Sequence, residues 1–245
     1  MDFFTHLGRY VLTLKGMFAK PENAKVYWQE LMQQCVDIGV GSLPIVIIIS
    51  IFLGAVTTVQ TAYQLVSPLV PISTIAQVVR DSVILELSPT VICLVLAGVS
   101  GSKIASELGN MRISEQIDAQ EIMGINTKGF LIMPKVLSAV LIIPMLITLS
   151  MFLAIMGGRI AGAMSGIIPA AAFDKGLLEG FVPFNVYFAL IKAFSFAFII
   201  STVAAYYGYN VKGGALEIGK ASTSAVVVSC ILILFADYIL AAIFL

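Results

Sequence analysis

The chain has 245 residues, of which 59% are hydrophobic and 11% are charged, and its 14 basic side chains balance its 14 acidic ones. A soluble globular protein carries about 25% charged residues, so this composition excludes an ordinary soluble domain. The zero net charge indicates no nucleic-acid partner. One histidine, His6, and three dispersed cysteines form no pattern for a metal site, a His-based catalytic centre or a disulfide framework. We expect no metal ligands and no catalytic residues in this chain.

Long uncharged stretches predict membrane spans. No charged residue occurs at positions 38–79, 136–158 or 193–211. About 20 apolar residues cross ~30 Å of hydrocarbon, so the chain is predicted to be an all-α polytopic membrane protein. The five predicted spans cover 38–66, 83–104, 130–163, 183–208 and 221–243.

Residues 1–35 are predicted to lie at the membrane surface, ahead of a transmembrane domain at 36–245. Charged residues separate apolar side chains that recur at helical spacing, as in an interfacial amphipathic helix. The apolar set is Phe3, Phe4, Leu7, Val11, Leu14 and Phe18, and the charged set is Asp2, Arg9 and Lys15. Pro21 is expected to end this helix, and a second short helix around 28–35 is expected to lead into the bilayer.

The distribution of Lys and Arg predicts the orientation, because cytoplasmic connections are enriched in them. With the N-terminus inside, the basic residues on the cytoplasmic side are Arg9, Lys15, Lys20, Lys25, Lys103, Arg112, Lys128, Lys135, Lys212 and Lys220. Those on the far side are Arg80, Arg159 and Lys175. We therefore predict a cytoplasmic N-terminus and a periplasmic C-terminus, with Lys192 inside the membrane.

Glycines recur every fourth residue where the third span ends, at Gly158, Gly162 and Gly166. This small-xxx-small pattern allows helices to approach closely. The three glycines are predicted to serve helix packing.

The stretch "GGALEIGKAST", residues 213–223, is one residue short of a phosphate-binding loop. Gly214, Gly219 and Lys220 fit the pattern, but Ala221 stands where the Mg²⁺-binding hydroxyl belongs. Such a loop joins a strand to a helix in an α/β domain, whereas this stretch lies between two predicted spans. We interpret it as a tight turn with Lys220 near the lipid headgroups.

The loop between the second and third spans predicts a short acidic helix at about 114–123. Ser114 is a favourable N-cap, and Glu115 and Asp118 suit the positive end of a helix dipole. Gly124 supplies a C-terminal stop. Composition alone leaves an ordinary solvated loop as the alternative.

The same region carries a family resemblance. The stretch "ELSPTVICLVLAGVSGSKIASELGNMRISEQIDAQEIMG" resembles the signature of the MlaE family, the permease subunits of lipid-transporting ABC systems in Gram-negative bacteria. The matching positions are Glu86, Leu87, Pro89, Ala97, Gly98, Gly101, Glu107, Leu108, Gly109, Met111 and 115–119. The resemblance extends over about 35–245. Leu85 and Val99 stand where the family usually has arginines.

The resemblance implies a homodimeric permease in the bacterial inner membrane. Each copy would sit on a separate ATPase subunit, which binds the ATP and Mg²⁺, so no cofactor is expected on this chain. The acidic helix would be the coupling element, and residues 115–122 would supply the contact, with Glu115, Gln116, Ile117, Asp118 and Glu121 as the candidate residues. A periplasmic carrier of the MCE type, a small STAS-like subunit and phospholipid would be the other partners.

Three ionisable residues fall within the predicted spans: Glu86, Lys192 and Asp237. A charge at mid-bilayer costs about 2.5–3.5 kcal/mol on insertion scales, so each needs a partner, water or a function. At ~1.5 Å per residue all three lie between the outer surface and the middle. One interpretation is an outward-opening, apolar-walled cavity with a few polar groups for a phosphate headgroup. The other is that Lys192 pairs with Glu86 or Asp237 to hold helices together, and the two are compatible.

Three functions follow from these features. The first is an ATP-driven phospholipid permease that exchanges lipid with a periplasmic carrier to maintain the outer membrane and its lipid asymmetry. The alternative is an ion-coupled secondary transporter using Glu86, Lys192 and Asp237, although five spans without an internal repeat argue against it. The third is a membrane scaffold that anchors a partner complex.

Overall fold

The computed structural model describes residues 3–17, 24–65 and 71–244, and these form helices joined by short turns, without a strand. We number eight helices along the described part of the chain. They are α1 (Phe3–Met17), α2 (Ala24–Gln64), α3 (Ser73–Ile113), α4 (Gln116–Ile122), α5 (Lys128–Met164), α6 (Ala170–Leu178), α7 (Pro183–Tyr209) and α8 (Ala215–Phe244).

The five predicted spans are confirmed as α2, α3, α5, α7 and α8, each long and apolar enough to cross a membrane. The predicted second short helix at 28–35 is not a separate element, because α2 runs without a break from Ala24 to Gln64. Pro44 lies inside α2 without ending it. Several residues named in the sequence analysis lie outside the described part of the chain. They are Asp2, Phe18, Lys20, Pro21, the predicted end of span one at 66 and the side chains of Phe3, Phe4 and Leu7.

The chain divides into two compact units. The first comprises Met1–Gly41, Leu94–Ile142 and Ser195–Ala236. The second comprises Ser42–Cys93, Ile143–Phe194 and Asp237–Leu245. Each contact below lies within one unit.

In the second unit, α2 and α5 touch through their backbones. A Cβ atom added at Gly54 would overlap the backbone of Ala154, and one added at Gly157 would overlap the backbone of Ile51. Gly158 faces the side chain of Thr58 and would also clash if it carried a Cβ. Glycine is therefore required at these positions because the two helices leave no room between them.

The other two glycines of the predicted packing motif differ from Gly158. A Cβ on Gly162 would make ordinary contact with Thr58, at 3.4 Å. Gly166 lies beyond the end of α5, has a φ of +69° and has open space where a Cβ would stand. Its structural role is a left-handed turn rather than the predicted helix packing, because φ in this range disfavours any side chain.

Arg80 closes the end of α6 in the same unit. It belongs to the first part of α3, Ser73–Ser82, which packs against α6. Its guanidinium donates to the carbonyl oxygens of Leu177 (2.9 Å), Glu179 (2.8 Å) and Gly180 (3.1 Å). Carbonyls at a helix end lack partners within the helix, and this buried side chain satisfies them. Arg80 lies in a helix, and not in the loop that the sequence predicts.

In the first unit, α1 attaches to α7 through polar side chains. His6 Nδ1 lies 2.9 Å from the Tyr206 hydroxyl, and the Tyr10 hydroxyl lies 2.8 Å from Thr202 Oγ1. Val11 on another side of α1 is more than half exposed. The helix thus presents polar contacts to the protein and apolar surface outward, as expected for a helix at the membrane interface.

Candidate functional site

Lys192 is the centre of a buried charge cluster in the second unit. Its Nζ lies 2.6 Å from Glu86 Oε1 and 2.7 Å from Asp237 Oδ1. The Lys192 side chain is 0% exposed, against 48% for Glu86 and 16% for Asp237. The three residues predicted from the sequence therefore come together, and the expected pairing of Lys192 includes both acids.

A break in regular helix geometry gives Lys192 a further hydrogen-bond acceptor, the backbone carbonyl of Leu85. Pro89 has no N–H, so the α-helical hydrogen bond from residue 89 to the Leu85 carbonyl cannot form. Residues Val83–Val91 wind as a π-helix. Lys192 Nζ donates to the Leu85 oxygen at 3.1 Å. The ammonium thus donates hydrogen bonds to Glu86 and to the Leu85 carbonyl, and it forms an ion pair with Asp237.

Two further side chains complete the cluster, and the sequence analysis did not identify them. Thr90 Oγ1 lies 3.3 Å from both Glu86 Oε2 and Asp237 Oδ2. The Phe188 ring lies 4.8 Å from Lys192 Nζ, in cation–π geometry. Phe188 is four residues before Lys192 in the regular helix α7, so helical spacing would have found it. Thr90 shares the π-helix with Glu86, where the regular spacing does not apply.

Glu86 also lines a cavity of about 340 Å³ in the second unit. Six of the seven lining residues carry hydrogen-bonding groups, and the full set is Thr57, Gln60, Thr61, Gln64, Ser82, Glu86 and Leu87. Lys192 and Asp237 are not among them. The cavity thus offers hydroxyls, amides and one carboxylate, which is a more polar set than the apolar wall that we expected.

The loop between α3 and α5 forms the predicted short helix in the first unit, with different bounds. The helix α4 begins at Gln116, and Glu115 before it has a left-handed φ of +60°. Ser114 is not its N-cap, because the Ser114 hydroxyl donates back to the Asn110 carbonyl at the end of α3. The start of α4 was predicted too early because the Ser114 side chain can either cap the beginning of α4 or bond to the end of α3.

Only part of the predicted contact set on α4 is available to a partner. Ile117 is fully buried and anchors the helix. Asp118 pairs with Arg112 at 2.7 Å. Glu115 and Gln116 are exposed and have no side-chain bond within the described residues. Ile122, the last residue of the predicted contact range, is 88% exposed.

Glu121 is held inward although it is exposed. Its Oε1 accepts hydrogen bonds from the hydroxyls of Tyr209 (2.7 Å) and Thr127 (3.1 Å). The Tyr209 hydrogen bond lowers the pKa of Glu121 below its usual 4.5, with help from Thr127 and from the positive charges of Arg112 and Lys128. The bond therefore ties α4 to the end of α7.

We expect Tyr209→Phe to lower thermal stability at neutral pH. A carboxyl whose pKa is depressed in the folded protein stabilises it above about pH 4.5, and this contribution disappears as the pH falls through the folded pKa. The melting temperatures of wild type and variant should therefore converge on acidification.

Thermal unfolding at pH 7 and in steps down to about pH 3 tests this expectation, because the lower values bring the pH down through the depressed pKa of Glu121. The matched control is Tyr207→Phe, which removes a neighbouring hydroxyl without affecting Glu121. A Tyr209→Phe deficit that is equally large at all these pH values would contradict the assignment.

Five helices long and apolar enough to cross a membrane, with a buried charge cluster in the second unit, define a polytopic membrane protein. Residues 31–243 match the family model described as Permease MlaE, and the chain belongs to this family. It is accordingly an ABC transporter permease. This class argues against both the ion-coupled alternative and the scaffold.

Named relatives agree with this class. A probable ABC transporter permease protein of Rickettsia bellii is 36% identical over 219 residues, 89% of this chain and 84% of the relative. One from Synechocystis sp. is 30% identical over 218 residues, 89% of this chain and 82% of the relative. The chloroplastic protein TRIGALACTOSYLDIACYLGLYCEROL 1 of Arabidopsis thaliana is 33% identical over 224 residues, 91% of this chain and 63% of the relative.

Proposed function

We propose that this permease moves phospholipid between a Gram-negative inner membrane and a periplasmic carrier of the MCE type. Two copies would act with two ATPase subunits, and a STAS-like subunit would complete some assemblies. In this proposal ATP and Mg²⁺ bind the ATPase, the N-terminus is cytoplasmic and the C-terminus periplasmic. The observation that most directly supports this proposal is the cavity at Glu86. It is lined by hydrogen-bonding groups, although the spans around them are apolar.

The size and chemistry of this cavity suit a lipid headgroup. Ligand pockets usually measure about 300–1,000 Å³, and a volume of about 340 Å³ lies in that range. The name of the Arabidopsis relative refers to a galactose-bearing diacylglycerol, which supports a glycerolipid as cargo.

The charges of the site indicate how a headgroup would be held. Lys192 is fully buried and its charge is compensated by ion pairs with Glu86 and Asp237, so it is not free to bind a phosphate. Leu85 and Val99 replace the arginines of the family pattern. In this proposal the hydroxyls and amides of the cavity contact the phosphate, and Glu86 contacts a positively charged part of the headgroup.

The first experiment is native mass spectrometry of the gently extracted protein, followed by reconstitution. We expect two copies of this chain, two ATPase subunits and retained phospholipid, and ATP-dependent transfer of labelled phospholipid to the carrier. Transfer that proceeds without the ATPase and follows an imposed proton gradient would contradict the proposal. A lone chain that binds no ATPase, under conditions that preserve such complexes, would also contradict it.

The proposed ATPase contact is the exposed side of α4. It combines the polar Glu115 and Gln116 with the exposed apolar Ile122 and Met123. Apolar side chains this exposed at the end of a short helix are typical of a binding surface. Asp118 and Glu121 would keep the helix in position through their internal bonds.

We expect Glu115→Lys and Ile122→Ser each to reduce ATP-driven lipid transfer at least several-fold while the protein still folds. Both side chains are exposed, so neither change removes a buried contact. Asp118→Lys should act similarly, although it also breaks the bond to Arg112. The assay compares lipid transfer with the amount of ATPase that co-purifies.

Leu178→Ser is the matched control, because Leu178 is 82% exposed and ends the short helix α6. It should leave ATPase binding unchanged. Normal transfer by both Glu115→Lys and Ile122→Ser would show that α4 is not the coupling element.

A further inference from the structure

A second cavity lies in the first unit, among α1, the end of α7 and the beginning of α8. Its volume is about 320 Å³. It is located where one candidate span ends, at Tyr209, and the next begins, at Ala215. Such a position falls at the membrane–water interface. The lining residues are His6, Arg9, Tyr206, Tyr207, Asn210, Val211, Lys212, Glu217, Lys220, Ala221 and Ser224.

Positive charge dominates this lining. Arg9, Lys212 and Lys220 face one acid, Glu217. Lys220 Nζ lies 2.6 Å from Glu217 Oε1, so these two charges compensate each other. Arg9 and Lys212 make no ion pair with any described residue. Among the described residues, the cavity therefore has two cations without an acidic partner, Arg9 and Lys212, in contrast to the cavity at Glu86.

The turn before α8 places these cations together. Gly213 has a φ of +118°, a conformation open to glycine and strained for other residues. This turn lets Lys212 lie beside the first turns of α8. The side of that helix forms one wall of the cavity through Lys220, Ala221 and Ser224, and the Ser224 hydroxyl adds a hydrogen-bonding group to it.

We propose that this cavity binds a phosphate-bearing anion, and that the anion is the headgroup of an acidic membrane lipid. Basic pockets at the ends of membrane helices bind such headgroups, and the position between α7 and α8 makes a lipid the nearest phosphate. The near match to a phosphate loop at 213–223 thus coincides with a phosphate site of another kind. The site is separate from the transport cavity and does not depend on which lipid is cargo.

Lipid retention by the full-length protein in its purified complex tests the proposal. Native mass spectrometry would compare phosphatidylglycerol with phosphatidylcholine of the same acyl chains. We expect wild type to retain phosphatidylglycerol several-fold more strongly. Lys212→Gln and Arg9→Gln should each weaken that retention about fivefold, since one cation near a membrane surface contributes about that factor. Binding of phosphatidylcholine should not change.

Three controls make the result specific. Lys175→Gln removes one exposed positive charge elsewhere and should leave retention unchanged. Arg9→Lys preserves the charge and should restore binding if Arg9→Gln loses it. Glu86→Gln alters the transport cavity and should not affect the Lys212-dependent binding, so failure of the proposed cargo site and failure of this site are distinguishable.

A soluble source of phosphate is tested in the same experiment. If inorganic phosphate binds the lipid-depleted protein and displaces phosphatidylglycerol at comparable concentration, the phosphate site stands and the lipid assignment is overturned. Equal retention of the two lipids, unchanged in Lys212→Gln, would overturn the proposal as a whole.

Discussion

Replacing Lys192 by methionine should destabilise the protein by about 3–5 kcal/mol. The change leaves two carboxylates together without their shared cation, and Asp237 is only 16% exposed. Removing one partner of a buried ion pair is costly because the remaining charge keeps its desolvation penalty and loses its compensation. The exposed Glu86 is screened by solvent, which favours the lower end of the range. Thermal unfolding of the purified protein measures the effect.

A second substitution separates loss of charge balance from loss of packing. In the double variant Lys192→Met with Asp237→Asn, the less exposed carboxylate is neutral, so part of the lost stability should return. Asp237→Asn alone leaves the Lys192–Glu86 pair intact and should cost less than Lys192→Met. A Lys192→Met variant as stable as wild type would mean that the cluster does not hold these helices together.

Gly54→Ala should destabilise the protein by about 1–3 kcal/mol, the usual cost of adding a methyl group to a filled space. All three of the nearest atoms to the added Cβ belong to the backbone of Ala154, and all are closer than 3.0 Å. Backbone atoms cannot move aside as a flexible side chain can, so α2 and α5 would have to separate. The same thermal assay detects this loss.

Gly41→Ala is the matched control, because Gly41 lies in the same helix and a Cβ there meets nothing within 4 Å. Alanine within a helix is favoured over glycine by about 0.5–1 kcal/mol, so this variant should be as stable as wild type or slightly more stable. Equal effects of the two substitutions would contradict the close contact at Gly54.

Composition and uncharged length predict the five spans because the membrane constrains both. Internal helix bounds are less predictable. The start of α2 was misplaced because charges near its beginning suggested an interfacial segment, whereas the helix continues through them. Ser114 was misassigned because its hydroxyl can bond to either neighbouring helix. Local sequence leaves both helix boundaries open, because contacts with distant parts of the chain decide which one forms.

The charge cluster was predictable in part. Buried charges need partners, so Glu86, Lys192 and Asp237 could be grouped from hydropathy alone. Their geometry depends on the π-helix around Pro89, in which faces do not follow a spacing of 3.6 residues. The cavity beside Glu86 also needs residues of α2, and a single sequence does not show which helices are neighbours.

The glycine contacts were likewise predictable only in part, because the sequence does not show which helices are neighbours. Gly158 was found because it belongs to a repeat of glycines, whereas Gly54 lies in a mixed repeat of small residues, Ser50, Gly54 and Thr58, that the sequence analysis did not single out. The importance of Gly54 comes from Ala154, a hundred residues later in the chain. Arg80 was counted as a loop charge because its three carbonyl partners at the end of α6 are about as distant in sequence.

The backbone contact between α2 and α5 has a mechanical consequence. Where helices pack through long side chains, rotamer changes let them slide by small steps, but no such layer exists between Gly54 and Ala154 or between Ile51 and Gly157. We therefore expect these turns of the two helices to move together during transport. Rearrangements should then occur where neighbouring helices meet through side chains.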